Sequence, residues 1–188
     1  MQNGEVLRSI NERMKTYAIF LRGVTPTGKN RVPMAELRTA LARAGLSEVQ
    51  TYIQSGNVVA KSRLGLPGVE SLVHETIKRD IGADIAVLAR THEQMETIMK
   101  QNPFPKTTAS RTYFTLLSSM PNSSRLGDFL AIDFSPDKVK VMGNSIYTLY
   151  ATKYSDSKFN NNFFERKLMV SATTRNHNTM SRLLELSA

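Results

Sequence analysis

The apolar residues follow two alternating periods along the chain, and each switch marks the edge of an element. An unbroken apolar run from Tyr17 predicts a strand over 17–22, entered from Lys15-Thr16 and closed by Gly23. Pro26 and Gly28 then break the chain into a loop over 23–32. Pro33, Leu37, Ala40, Leu41 and Ala44 follow helical spacing; Pro33 suits a first turn and Gly45 suits a stop. Residues 49–54 and 57–61 are β-rich and flank Ser55-Gly56-Asn57, which predicts a hairpin. Val69, Leu72, Val73, Thr76 and Ile77 form a second helical stripe that stops near Gly82, and 84–90 reads as a further buried strand. The order strand, helix, strand, strand, helix, strand over 16–90 is the split βαβ, or ferredoxin-like, pattern.

Thr91 and Gln94 have capping-box spacing and open a helix carrying Met95, Ile98 and Met99, which must end before Pro103. A linker is expected at 102–110, around Pro103 and Pro105. It would divide a first ferredoxin-like half, 15–101, from a second, 111–188, with an N-terminal extension at 1–14 and one compact unit overall. The second half echoes the first: a strand at 111–118, a helix at 123–131, strands at 138–142 and 145–150 around Gly143-Asn144, and a helix at 157–168. The closing strand is not evident, and a helix over 175–186 is expected in its place. The fold class is therefore α+β, two ferredoxin-like halves with mainly antiparallel sheet.

Composition narrows the function only a little. The 188 residues, 40% of them hydrophobic, suffice for a substantial core, and the absence of Cys removes disulfides and Cys-ligated metal. No run of about 18 apolar residues predicts a membrane span, and 1–14 is polar and mixed in charge, without the apolar core of a signal peptide. A reducing, cytoplasmic setting is expected. The net charge of +9 favours anionic partners. Its spread is uneven: 15–31 and 97–127 each hold four basic residues and no acidic one.

Four strings identify a relative. Phe20-Leu-Arg-Gly-Val, the run from Gly28 to Arg38, Thr51-Tyr-Ile-Gln-Ser-Gly-Asn-Val-Val59, and Ala172-Thr-Thr-Arg-Asn-His-Asn-Thr179 together resemble the DUF1697 family of uncharacterised bacterial proteins. The resemblance spans 15–186 and implies an α/β protein built from ferredoxin-like elements. It implies no activity. Two departures stand out: the segment before Lys15 is longer than usual, and Pro26 stands where a small or flexible residue is expected.

The candidate chemistry centres on the first loop. Gly23-x-x-x-x-Gly28-Lys29 resembles a phosphate-binding P-loop, but Asn30 replaces the Ser or Thr that would hold Mg²⁺, and Pro33 delays the helix. A narrower expectation survives. Arg22, Gly23, Lys29, Asn30 and Arg31 precede a helix N-terminus, where free N–H groups favour an anion. Thr173 or Thr174 is expected to cap the last helix, which would put Arg175 and Asn176 in its first turn, a place where a cation opposes the helix dipole. An acidic neighbour or a bound anion would answer that charge. Gln54, Ser55 and Asn57 add hydrogen-bonding groups at the hairpin, although turn chemistry alone also explains them.

No catalytic set is evident. His74, His92 and His177 lack metal spacing, with His74 expected on an exposed helix face, and no cofactor motif is present. Ferredoxin-like RNA binders stack bases on strand aromatics, yet Tyr17 and Phe20, like Tyr147 and Tyr150, alternate onto opposite faces. The leading expectation is a small anionic or phosphorylated ligand. The alternatives are a nucleic-acid module using basic surface and a protein-assembly domain.

Overall fold

The computed structural model describes residues 13–188, so 1–12 of the expected N-terminal extension lie outside the described residues. The first half runs β1 (Lys15–Leu21), α1 (Met34–Arg43), β2 (Ser47–Thr51), β3 (Asn57–Ser62), α2 (Leu66–Asp80), β4 (Val87–Thr91) and α3 (His92–Lys100). A 3-10 turn, Lys106–Arg111, leads into the second half: β5 (Thr112–Leu117), α4 (Ser123–Leu130), β6 (Lys138–Met142), β7 (Ser145–Leu149), α5 (Asn161–Leu168), β8 (Ala172–Asn176) and α6 (His177–Leu186). The sheets have orders β2-β3-β1-β4 and β6-β7-β5-β8, and their strand pairs are antiparallel. Each half is thus a ferredoxin-like unit followed by one extra helix.

Alternation along the strands builds the layers. Tyr17, Ile19 and Leu21 face α1 and α2, packing on Leu37, Leu41, Val69, Val73 and Ile77. Ala18 and Phe20 face the other way, into a cluster that also holds Met95 and Ile98 of α3, Phe114 and Leu116 of β5, Tyr147 of β7, and Met180 and Leu183 of α6. The inner faces of the two sheets therefore share one apolar core with α3 and α6. Leu117, Ile146 and Tyr150 face outward onto Phe129 of α4 and Phe164 and Leu168 of α5.

Several expectations change. The closing strand exists: Ala172–Asn176 pairs with β5 from Leu117↔Ala172 to Tyr113↔Asn176. Its polar sequence hid it, because Thr173 and Arg175 are buried by partners far away in the chain. Arg175 accordingly lies in a strand and outside the first helical turn, and Asn176, not Thr173 or Thr174, caps α6 by accepting from Thr179 N at 2.8 Å. Residues 154–160 are a 3-10 turn and loop ahead of α5, whose cap is Asn160. β4 starts at Val87 and not at Asp84. His74 is half-buried, its ring nitrogens 3.2 Å from Glu75 and 2.9 Å from Asp84. Hydrogen bonds from Lys78, then His74, hold the Asp84 carboxyl below its usual range. The capping box forms as expected, with Thr91 and Gln94 bonded reciprocally.

Candidate functional site

The first loop is stapled to itself. Thr25 N donates to Asn30 O at 3.1 Å and Arg31 N to Gly28 O at 3.1 Å, while Asn30 Nδ2 reaches Gly23 O at 3.3 Å. Gly23 and Gly28 sit at φ 72° and 80°, which residues with a Cβ rarely adopt. Two of the loop's N–H groups, those of Thr25 and Arg31, are thus committed within the loop, and Asn30 folds its side chain back onto Gly23. α1 begins beyond the loop, at Met34, with Pro33 as its cap residue.

Proline has no side-chain acceptor, so α1 opens without a side-chain cap, as α2 does at Gly65, whereas Thr91, Asn122, Asn160 and Asn176 cap α3 to α6. Beside that open end is a cavity of about 680 Å³, within the range of small-molecule sites. Thr25, Arg31, Pro33 and Ala35 form one wall, and Gln54 and Ser55 of the hairpin form another. The structure therefore brings the first loop and the hairpin together, linked by Leu21 N donating to Gly56 O at 2.8 Å. Gly56 is needed for this approach: at φ 79°, a Cβ there would stand 2.7 Å from Leu21 Cβ and 2.8 Å from Val24 Cγ2. Arg31, Lys29, Gln54 and Ser55 are exposed, and neither Arg31 nor Lys29 has an ion-pair partner among the described residues.

The other expected site residues are engaged within the protein. Arg22 turns from the cavity to α5, where Nη2 lies 2.8 Å from Glu165 Oε2 and 2.7 Å from Asn162 Oδ1. Thr174 donates to Asn161 Oδ1 at 2.6 Å and lies 2.7 Å from Thr115 Oγ1. Arg175 is buried under the hairpin. Its Nε donates to Asn57 Oδ1, Nη1 to Thr173 Oγ1 and Thr174 O, and Nη2 to Leu21 O, Ser55 O and Gly56 O. Backbone carbonyls, the Asn57 amide oxygen and the Thr173 hydroxyl, with no carboxylate, answer its charge, and burial pushes the guanidinium down to about 10. Asn57 is itself fixed, with Nδ2 donating to Tyr52 O and Ser55 Oγ at 3.1 Å. Arg175 and Asn57 thus set the hairpin that carries Gln54 and Ser55.

A family model described as a protein of unknown function, DUF1697, matches residues 14–147, most of the chain. The chain belongs to the DUF1697 family. A search of curated proteins finds no match. The solved structure of a conserved bacterial protein, SP0830 from Streptococcus pneumoniae, is similar with a TM-score of 0.74 at 21% identity, covering 94% of this chain and 100% of that one. At that identity the likeness shows the fold. In this DUF1697 chain no helix among the described residues is long and apolar enough to cross a membrane, and no cluster of His, Asp and Glu there has the makings of a metal site.

Sequence reasoning missed Arg90. It is 5% exposed and donates from Nη1 to Ala89 O at 2.7 Å and from Nη2 to Leu117 O at 2.6 Å. The available signal was its place directly before a helix-capping residue, Thr91, as Arg175 stands directly before Asn176.

Proposed function

We propose that this protein binds a small anionic ligand, carrying phosphate or carboxylate, in the cavity at the start of α1. The supporting observation is the conjunction of an uncapped helix N-terminus with a cavity of about 680 Å³ whose charged lining residue is Arg31. Unpaired N–H groups and the positive end of the helix dipole favour an anion there. Arg31 supplies the countercharge and Lys29 adds positive potential from the same loop. Gln54 and Ser55 offer hydrogen bonds from the facing wall, and Gly23 and Asn30 shape the loop. Arg22, Asn57, Thr174, Arg175 and Asn176 act as positioning residues, because their polar groups hold the two walls and the elements behind them. The lining holds no carboxylate or imidazole, so the reading is one of recognition, without an acid or base. A cytoplasmic location is part of this proposal, in keeping with a chain free of Cys.

A thermal-shift screen with inorganic phosphate, nucleotides, sugar phosphates and carboxylates tests it. A ligand at a hundredfold excess over its Kd should stabilise the fold by about 2.7 kcal/mol, and Arg31→Ala should remove most of that gain. An absence of any shift, or a gain unchanged in Arg31→Ala, sinks the proposal.

The nucleic-acid alternative rests on the net charge of +9. The inner strand face that ferredoxin-like RNA binders use is buried here beneath α3, α6 and the second sheet. A nucleic-acid partner would therefore have to be held by surface charge, with a steep fall in affinity as salt rises.

A further inference from the structure

The registers of the two halves place Arg90 and Arg175 at equivalent positions. Arg90 pairs with Ala18 of β1 and Arg175 with Phe114 of β5; two residues on, Phe20 pairs with Asn57 and Leu116 with Ser145. The exchange between halves is reciprocal. Arg175 Nη2 donates to Leu21 O at 3.0 Å, and Arg90 Nη2 donates to Leu117 O at 2.6 Å.

The likeness stops at Nε. Arg175 Nε has Asn57 Oδ1, but Arg90 Nε is buried with no hydrogen-bond partner among the described residues. Ser145, the counterpart of Asn57, has a shorter side chain. A buried donor without an acceptor is costly, and more so on a charged group. Arg90 also lines a cavity of about 250 Å³ with Glu93, Gln94, Thr97, Asn144 and Ser145. That volume is below the roughly 300–1,000 Å³ of drug-sized sites. Burial pushes the Arg90 guanidinium down from its ordinary value, with Glu70 pulling it up.

A cation with a spare donor calls for an oxyanion. Glu93 sets the second requirement. It is exposed in the first turn of α3, and its hydrogen bond with Thr91 holds its carboxyl below the usual range, so it stays ionised. A carboxylate there repels a phosphate dianion and attracts an ammonium. We infer that this second cavity takes a small zwitterion of amino-acid size, its carboxylate accepting from Arg90 Nε and its ammonium facing Glu93. The site is separate from the α1 cavity and does not depend on the reading given for it.

The test uses the full chain and the side-chain Nε–H resonance of Arg90 in NMR, assigned by its loss in Arg90→Lys or, if that variant does not fold, through the residue's own backbone. Free amino acids are titrated singly, with acetate and inorganic phosphate for comparison. At least one amino acid should shift the resonance saturably with a Kd below about 1 mM, and acetate should bind about tenfold more weakly or worse. Glu93→Gln should narrow that gap. Ser145→Asn, which supplies the amide oxygen found at Asn57, should abolish the response while the chain stays folded. Arg31→Ala should leave it unchanged. The inference is overturned if no amino acid moves the resonance, if phosphate binds more tightly than every amino acid, or if Ser145→Asn responds as the parent does.

Discussion

Two arginines in equivalent strands of the two halves meet different fates. Arg175 reaches the tip of the β2–β3 hairpin, where residues 52–56 bring Ser55 O and Gly56 O to its guanidinium and Asn57 follows at the strand start. Arg90 reaches the β6–β7 hairpin, where Gly143-Asn144 joins Met142 directly to Ser145. Both turns present a carbonyl to the neighbouring strand end, Gly56 O to Leu21 N and Asn144 O to Leu117 N, but the long turn adds Ser55 O and the Asn57 amide oxygen as acceptors for its arginine. The same residue type in the same register is thus a closed clasp at one end and a cation with an unpaired donor at the other. The difference teaches that the hairpin, and not the arginine, decides which of the two it becomes.

The largest test of this contrast replaces each arginine by methionine. Arg175→Met removes the donor from the buried acceptors Asn57 Oδ1, Thr173 Oγ1 and Leu21 O, at about 1–3 kcal/mol for each left unpaired, partly offset by relief of a buried charge. A net loss of about 3 kcal/mol or more should appear in urea unfolding, against about 1 kcal/mol for Arg90→Met, which strands fewer acceptors. Equal losses would break the comparison.

The turns themselves come next. Gly56→Ala places a Cβ 2.7 Å from Leu21 Cβ at φ 79°, while Gly143 at φ 57° has nothing within 4 Å. The first should cost about 2–4 kcal/mol and the second about 1 kcal/mol, read as a large and a small fall in Tm. A matching pair of values would mean that the long turn is not packed as described.

A smaller effect separates the strands beneath. Tyr147 of β7 donates to Ile98 O at 3.0 Å, whereas its register counterpart on β3 is Val59, which has no hydroxyl. Burial pushes the Tyr147 phenol up to about 12. A folded pKa above the unfolded value of about 10 contributes stability that is complete below about pH 10 and is lost as pH rises through about 12. Tyr147→Phe should cost about 1 kcal/mol at neutral pH and flatten the alkaline limb of the stability curve. An unchanged limb would assign the titration elsewhere.

The smallest effect is a gain. Ser145→Asn gives Arg90 the acceptor that Asn57 gives Arg175, and should stabilise the protein by about 0.5–1 kcal/mol in the same urea assay. A loss would show that the second turn cannot seat the amide.

The elements with strong apolar periods were legible from sequence: β1, α1, the first hairpin, α2, α3 with its Thr91 cap, and the β6–β7 pair. β8 was not, because Thr173, Thr174 and Arg175 present no apolar alternation and their burial is supplied by β1, β5 and the first hairpin. The start of α5 was misplaced for a related reason: Phe159 belongs to the core without belonging to the helix. Within the candidate site, Arg31, Gln54 and Ser55 were named from local chemistry. Their meeting across one cavity was not visible, since it depends on the contact between Gly56 and Leu21. Arg22 and Arg175 were named as ligand cations because sequence shows a charge but not the group that answers it. For Arg22 that group is Glu165, which lies 143 positions away.

By itself the sequence determined the periodic elements, the βαββαβ order of the first half, the glycine-containing loop and the membership of the DUF1697 family. Short-range sterics and the burial of regularly spaced apolar residues act within a few positions, so they can be read along the chain. Tertiary structure alone decided that Arg175 is a strand residue clasping the first hairpin, that its counterpart Arg90 keeps an Nε without a partner among the described residues, and that the α1 terminus opens into a cavity. Those outcomes depend on which carbonyls and amides arrive from the opposite half, and a charged side chain carries no local mark of the acceptors it will find.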